Sequence, residues 1–112
     1  LSDAVFLTSQ LDSYYPRGAH QVYLELERAA YITRMWGDCY GYLLVATGRA
    51  DVMVDPIMNV WDAAALQPVL EEAGGAYTDW SGRPTIHGGE GIGCNRLLLD
   101  QVLAITRPFV RV

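Results

Sequence analysis

The chain has 112 residues and a formal net charge of −5, from 13 acidic residues and 8 basic residues that are all arginine. Its length suits one small domain, and its 51% hydrophobic and 19% charged residues are typical of globular rather than disordered proteins. An acidic chain lacks the basic face that follows a nucleic-acid backbone, and no apolar run approaches the roughly 18 residues of a membrane span, so neither is an expected partner.

The first half of the chain alternates strand and helix patterns. The apolar run at residues 4–8 predicts a strand, and Pro16-Arg17-Gly18 marks residues 12–18 as a loop. Apolar residues spaced among acids predict a helix over residues 21–30. Residues 31–34 form a short β-rich segment, and residues 39–47 an apolar helix that ends at Gly48.

The second half repeats the alternation. Residues 51–55 predict a strand, and Asp62 opens a helix that Gly74-Gly75 closes, with a bend at Pro68. Strands follow at residues 76–78 and 91–94, and Asn95 can cap a last helix through Ile105. This order predicts an α/β fold: a layered sandwich with a mostly parallel or mixed sheet of about five short strands, flanked by helices.

Several motifs of known chemistry are absent or incomplete. There is no GxSxG nucleophile turn and no P-loop, and the glycine-rich residues 88–93 fit no GxGxxG register. His20 and His87 are expected at the surface. Cys39 and Cys94 lack metal-binding spacing, so reduced thiols are expected. Together with the absence of a secretory pattern at the start, they favour a cytoplasmic setting.

Asp55-Pro56-Ile57 looks like the start of a DPxDGT metal loop. That loop needs a second carboxylate three residues after the first, and Met58 stands there instead. A thioether is a poor ligand for a hard cation. We therefore interpret Asp55-Pro56 as the end of a strand followed by a turn.

Three acidic positions lie where a strand or loop meets a helix, at Asp38, Asp55 and Asp62. Side chains at such junctions can converge at one end of a sheet, where α/β proteins commonly bind ligands. The residues alone leave other roles open. Asp38 or Asp62 could cap a helix, and Asp55 could be a solvated strand end.

Longer motifs carry a specific resemblance. Residues 37–51, Trp61-Asp62-Ala63-Ala64-Ala65 and Glu72-Ala73-Gly74-Gly75 resemble the C-terminal half of the inositol monophosphatase family. The segment from Trp36 to Tyr40, with Asp55-Pro56-Ile57 and residues 59–62, is most similar to its histidinol-phosphate phosphatase branch.

The resemblance implies a metal-dependent phosphatase site. Asp62 would be a catalytic ligand of Mg²⁺ that also lies close to the substrate. Asp55 would contact the organic part of the substrate, and Arg34 would lie near the pocket and a dimer contact. The substrate pocket would further include Gly37, Asp38 and Cys39.

The family's remaining metal ligands belong to an N-terminal half, and nothing in this chain matches them. Residues 1–112 are therefore expected to be a single C-terminal lobe of a larger phosphatase, inactive when isolated, whose partners are its own N-terminal lobe, a second copy and a small phosphorylated substrate. Asp38 and Asp55 would make the pocket acidic and favour histidinol phosphate, which carries an ammonium group. The alternatives are an inositol or other sugar phosphate as substrate, or a non-catalytic binding or dimerisation module.

Overall fold

The structure, a computed structural model, describes residues 1–35 and 38–109, without the side chains of residues 17, 38 and 39. The strands are β1 (Val5–Thr8), β2 (Ile32–Met35), β3 (Val52–Asp55), β4 (Ala76–Thr78) and β5 (Gly91–Cys94). The α-helices are α1 (Tyr14–Arg17), α2 (His20–Ala29), α3 (Asp38–Ala46), α4 (Val60–Ala63), α5 (Leu66–Glu72) and α6 (Leu99–Thr106). Short 3-10 helices cover Leu11–Ser13, Arg96–Leu98 and Arg107–Phe109.

The five strands form one mixed sheet in the order β2-β1-β3-β5-β4. Strand β1 runs parallel to both β2 and β3, whereas β5 is antiparallel to its neighbours β3 and β4. The expected sheet of about five strands flanked by helices is confirmed. Because β1 and β3 are parallel neighbours, the residues that follow them meet at the same edge of the sheet.

Helices cover both faces of the sheet. Alternate residues of a strand point to opposite faces, so Phe6, Val52 and Val54 pack with α2 and α6, whereas Leu7 and Met53 pack with α3 and α5. We call these the α2/α6 face and the α3/α5 face. The result is a three-layer α/β/α sandwich with a separate apolar core on each side.

Two glycines of β5 make room for aromatic rings on the α3/α5 face. A Cβ on Gly93 would lie 2.7 Å from Cδ1 of Tyr42, and one on Gly91 would lie 2.5 Å from Oη of Tyr77. Both distances are shorter than real Cβ contacts. This packing role explains Gly91 and Gly93 in the glycine-rich segment 88–93, which fits no GxGxxG nucleotide-loop register.

The predicted loop over residues 12–18 is wrong, because most of it is helical. The 3-10 helix Leu11–Ser13 leads directly into α1, and Gly18 ends α1 with a φ of 72°. Pro16 is the third residue of α1, where a helix does not need its N–H group. Such short helices leave almost no periodic signal in the sequence.

The predicted helix opening at Asp62 is two helices, α4 and α5, separated at residues 64–65. Pro68 is the third residue of α5. A proline ring inside a continuous helix would clash with the carbonyl four residues earlier, at Ala64. The expected bend is therefore a complete break, with Pro68 in the first turn of the second helix.

The remaining predicted helices and strands are confirmed with end shifts of one or two residues. Asn95 acts as a cap, since its side chain accepts a hydrogen bond from Leu97 N–H at 3.0 Å, although the first turn is 3-10 rather than α. Among the described residues, every helix is too short to cross a lipid bilayer.

Candidate functional site

A cleft of about 210 Å³ opens at the carboxyl ends of β1 and β3, on the α3/α5 face. Ser9 follows β1, Asp55 ends β3, and Asp62 lies in α4. The parallel pairing of β1 and β3 brings the first two together although they are 46 residues apart. The cleft is lined by Ser9, Gln10, Ser13, Tyr42, Asp55, Pro56, Ile57, Met58, Asp62 and Leu66.

Asp55 is buried and held by three hydrogen bonds. The Ser9 N–H donates to Oδ1 of Asp55 at 3.1 Å, and the Ser9 hydroxyl donates to Oδ2 at 3.2 Å. The Tyr42 hydroxyl donates to the same Oδ2 at 2.9 Å. Only 4% of Asp55 is exposed. The alternative that Asp55 is a solvated strand end is therefore wrong.

Burial disfavours the charged form of Asp55, and hydrogen bonds to the carboxylate offset only part of this effect. Burial raises the pKa of the Asp55 carboxyl, while contacts with Ser9, Tyr42 and Thr8 act to lower it. The pKa of the Tyr42 phenol is raised well above its ordinary value, first by burial and then by the charge of Asp55. Tyr42 therefore keeps its proton at neutral pH and remains a donor to the carboxylate.

Asp62 differs from Asp55 in being exposed. It is the third residue of α4, whose N-cap is Asn59, and no side chain caps this helix. The alternative that Asp62 is an N-cap is therefore wrong. Within the described part of the chain, the Asp62 carboxylate has no hydrogen bond or ion pair, and it faces the cleft lining. It is available as an oxygen donor to a ligand.

Asp62 can supply part of a metal site. Its carboxylate is the type of hard oxygen donor that Mg²⁺ prefers, but Mg²⁺ takes a near-octahedral shell of oxygens. Among residues 1–35 and 38–109, no group of three or more His, Cys, Asp or Glu side chains is placed to hold a metal ion. The described residues therefore offer the Asp62 carboxylate as a possible metal ligand at the cleft, but not a complete metal site.

The other predicted site residues lie outside this cleft or outside the description. Arg34 is exposed on the edge strand β2, and its guanidinium donates to the Thr33 carbonyl at 2.8 Å. Gly37 and the side chains of Asp38 and Cys39 lie outside the described residues, although α3 begins at Asp38. The roles of these four residues stay predictions.

Sequence reasoning missed Ser9 and Tyr42. Ser9 carried a usable signal, because a polar residue directly after a buried parallel strand is a common ligand-site position. Tyr42 carried none, since an aromatic residue inside an apolar helix indicates only a core position. Its hydroxyl gains a role through the fold, which places it beside Asp55.

The charge of the cleft has one sign. Two carboxylates, Asp55 and Asp62, line it, and the part of the lining that the structure describes includes no basic side chain. Such a cleft attracts a metal ion or an organic cation and repels a free phosphate group. A phosphorylated ligand would need bound cations to enter it.

Two curated proteins named histidinol-phosphatase are similar to this chain. A histidinol-phosphatase from Streptomyces coelicolor is 38% identical over 103 residues, covering 92% of this chain and 39% of that protein. A histidinol-phosphatase from Chlorobaculum parvum is 54% identical over 68 residues, covering 61% of this chain and 26% of that protein. The chain therefore spans well under half the length of these relatives.

A solved inositol monophosphatase from Zymomonas mobilis shares the fold, with a TM-score of 0.88 and 29% identity over 96% of this chain and 43% of that one. The sequence profile of the inositol monophosphatase family matches residues 4–109. Because this match covers nearly the whole chain, the chain belongs to the inositol monophosphatase family.

Proposed function

We propose that this chain is the C-terminal lobe of a Mg²⁺-dependent phosphomonoesterase that hydrolyses histidinol phosphate to histidinol and phosphate. Family membership supports the phosphatase reaction, and the curated relatives named histidinol-phosphatase support the substrate. The 39% coverage of the Streptomyces relative supports an N-terminal half elsewhere in the protein. By the same family resemblance, the enzyme would be a cytoplasmic homodimer.

The single observation that carries the substrate proposal is the acidic cleft. Asp55 and Asp62 line it without a basic side chain among its described residues. The organic part of histidinol phosphate carries an ammonium group, which a buried carboxylate attracts, whereas inositol is neutral and offers only hydroxyl groups. Asp55 would bind the organic part of the substrate.

Asp62 would hold Mg²⁺ on the side of the phosphate ester and help to place the leaving group. Its carboxylate is exposed at the cleft, and no described residue engages it. Bound Mg²⁺ would activate a water molecule and offset charge on the phosphate ester. The further ligands would come from the N-terminal half, so we expect the isolated 112-residue lobe to release no phosphate.

Arg34, Gly37, Asp38 and Cys39 complete the proposed site. By resemblance, residues 37–39 would line the substrate pocket at the start of α3, and Arg34 would lie near both the pocket and the dimer contact. Asp38 would add a third carboxylate and strengthen the preference for a cationic substrate.

The test is phosphate release by the full-length enzyme from histidinol phosphate and from inositol 1-phosphate, with and without Mg²⁺. We expect kcat/KM to be at least about tenfold higher for histidinol phosphate, corresponding to one added charge-assisted contact. Removal of Mg²⁺ with a chelator should abolish turnover, and added Mg²⁺ should restore it.

Two other results would redirect the assignment. The likeness to the Zymomonas mobilis inositol monophosphatase favours a sugar phosphate as the second candidate, and a higher kcat/KM for inositol 1-phosphate would establish it over histidinol phosphate. Absence of Mg²⁺-dependent release from either ester would instead favour the non-catalytic module.

A further inference from the structure

Tyr42 and Tyr77 are neighbouring buried tyrosines whose hydroxyls have different surroundings. Each is 1% exposed, and their ring centroids lie 6.0 Å apart on the α3/α5 face. The Tyr42 hydroxyl is 2.9 Å from Oδ2 of Asp55. The Tyr77 hydroxyl has no hydrogen-bond partner among the residues that the structure describes. Removing the hydroxyl from each tyrosine in turn therefore distinguishes the loss of a buried hydroxyl from the loss of a hydrogen bond to Asp55.

The hydrogen bonds of Asp55 leave it one free acceptor direction. A carboxylate has about four lone-pair sites, two on each oxygen. The Ser9 and Tyr42 hydroxyls both donate to Oδ2, while the Ser9 N–H donates to Oδ1. The Thr8 hydroxyl also acts to lower the pKa of Asp55, but it donates its one proton to the Val54 carbonyl at 2.7 Å. One lone pair of Oδ1 therefore remains for a donor from the cleft that Asp55 lines.

The ring of Tyr42 is fixed independently of its hydroxyl. Gly93 lies beneath it so closely that a Cβ there would be 2.7 Å from Cδ1 and 3.0 Å from Cε1 of Tyr42. The ring cannot move toward the sheet, so the hydroxyl has a defined position relative to Asp55. A phenylalanine would keep this packing and lose the hydrogen bond to Asp55 at 2.9 Å, together with the weak contact of the hydroxyl with the Met58 sulfur at 3.9 Å.

We propose that Tyr42 is a positioning residue that fixes the buried Asp55 carboxylate, so that Oδ1 accepts one hydrogen bond from the ammonium group of an amine-bearing phosphate ester. Tyr42 would thereby set the preference for amine-bearing over neutral esters without touching the phosphate. This inference rests on the proposed function. It assigns the substrate selectivity to Tyr42, a residue for which the family resemblance implied no role. Ser9 assists through its two bonds to the same carboxylate.

The test compares Tyr42→Phe with Tyr77→Phe in the full-length enzyme. For Tyr42→Phe we expect KM for histidinol phosphate to rise about tenfold with kcat within about twofold, since a hydrogen bond to a charged group is lost. KM for inositol 1-phosphate should stay within about twofold. Histidinol, which lacks the phosphate, should bind about tenfold more weakly by calorimetry. Tyr77→Phe should change none of these values.

Ser9→Ala is a second variant, because it removes the hydroxyl bond and keeps the N–H bond to Asp55. It should shift KM in the same direction by about threefold. Equal losses for both esters in Tyr42→Phe would show a merely structural role and overturn the inference. A wild-type preference for inositol 1-phosphate would overturn the proposed function itself. A wild-type preference for histidinol phosphate that Tyr42→Phe leaves unchanged would overturn this inference alone.

Discussion

The two faces of the sheet use the same residue types for different purposes. On the α2/α6 face, the Tyr14 and Thr8 hydroxyls both donate to the Val54 carbonyl, at 3.1 Å and 2.7 Å, inside a continuous apolar core. On the α3/α5 face, the Tyr42 hydroxyl donates to a carboxylate that lines an open cleft. On the first face these hydroxyls donate to a backbone carbonyl, and on the second the hydroxyl donates to a carboxylate at the candidate site.

This difference follows from the end of β3. Val54 points to the α2/α6 face and Asp55 to the α3/α5 face, because successive strand residues alternate. A buried carboxylate opposes folding unless donors surround it, and burial does raise the pKa of Asp55. The α2/α6 face holds an apolar core with its hydroxyls bonded to the backbone, while the α3/α5 face holds a buried carboxylate at the cleft, for which we propose a binding role.

The largest expected effect is the loss of stability from a cavity in the core of the α2/α6 face. Trp80 is fully buried in that core beside Tyr14. Trp80→Ala should lower the free energy of unfolding by about 3–5 kcal/mol, because it leaves a large cavity. Urea unfolding of the full-length protein measures this. The KM of the fraction that remains folded should not change; a changed KM with unchanged stability would contradict the division between the faces.

A substitution in the cleft should have the opposite effect, reducing turnover while leaving stability almost unchanged. Asp62→Asn removes one negative charge from an exposed residue with no partner among the described side chains. In the full-length enzyme, kcat should fall about a hundredfold or more. The Mg²⁺ concentration that gives half-maximal turnover should rise, because a metal ligand is lost. The free energy of unfolding should change by less than about 0.5 kcal/mol. Near-normal turnover would exclude Asp62 as a metal ligand.

Two adjacent residues of β5 sharpen the comparison. Gly93 faces Tyr42 and Leu70, whereas Cys94 belongs to the opposite core. Gly93→Ala should cost about 1–3 kcal/mol through overpacking and should also raise KM, since it displaces Tyr42 from Asp55. Cys94→Ala should cost about 1 kcal/mol and leave KM unchanged. Stability and KM are measured on both variants, and a KM change in Cys94→Ala would contradict this assignment.

The smallest expected effect is a loss of stability at alkaline pH, and it comes from Cys94 on the α2/α6 face. Burial raises the pKa of the Cys94 thiol from 9.0 to about 12. Above pH 9 the unfolded chain therefore loses the thiol proton before the folded chain does. Stability from this group is fully present below pH 9 and is lost as pH rises toward 12, by about 1 kcal/mol at pH 10.

The measurement compares urea midpoints at pH 8 and pH 10. The decrease between them should be smaller in Cys94→Ala than in the wild type. Tyr23→Phe is a parallel case, because a hydrogen bond to Glu27 is the largest cause that raises the pKa of Tyr23 to about 12. An equal decrease in the wild type and Cys94→Ala would show that the thiol is not protected in the folded state.

The sequence by itself determined the alternation of strands and helices, a sheet of about five strands and the places of Asp55 and Asp62 at junctions between elements, but it left open whether the sheet is mostly parallel or mixed. Those features are local: strands show in short β-rich runs, helices in apolar spacing and glycine stops, and the acidic residues stand at visible junctions. The same local patterns failed where elements are too short to show a period, as in the helical turns over residues 12–18.

Only the tertiary structure decided that Ser9 and Tyr42 hold Asp55. Ser9 is 46 residues from Asp55 and Tyr42 is 13, and their meeting depends on which strands pair and how α3 crosses the sheet. The pairing of β1 with β3 is set by packing of the whole core, which no short segment encodes. Gly93 likewise shows its purpose only once the ring of Tyr42 lies against it.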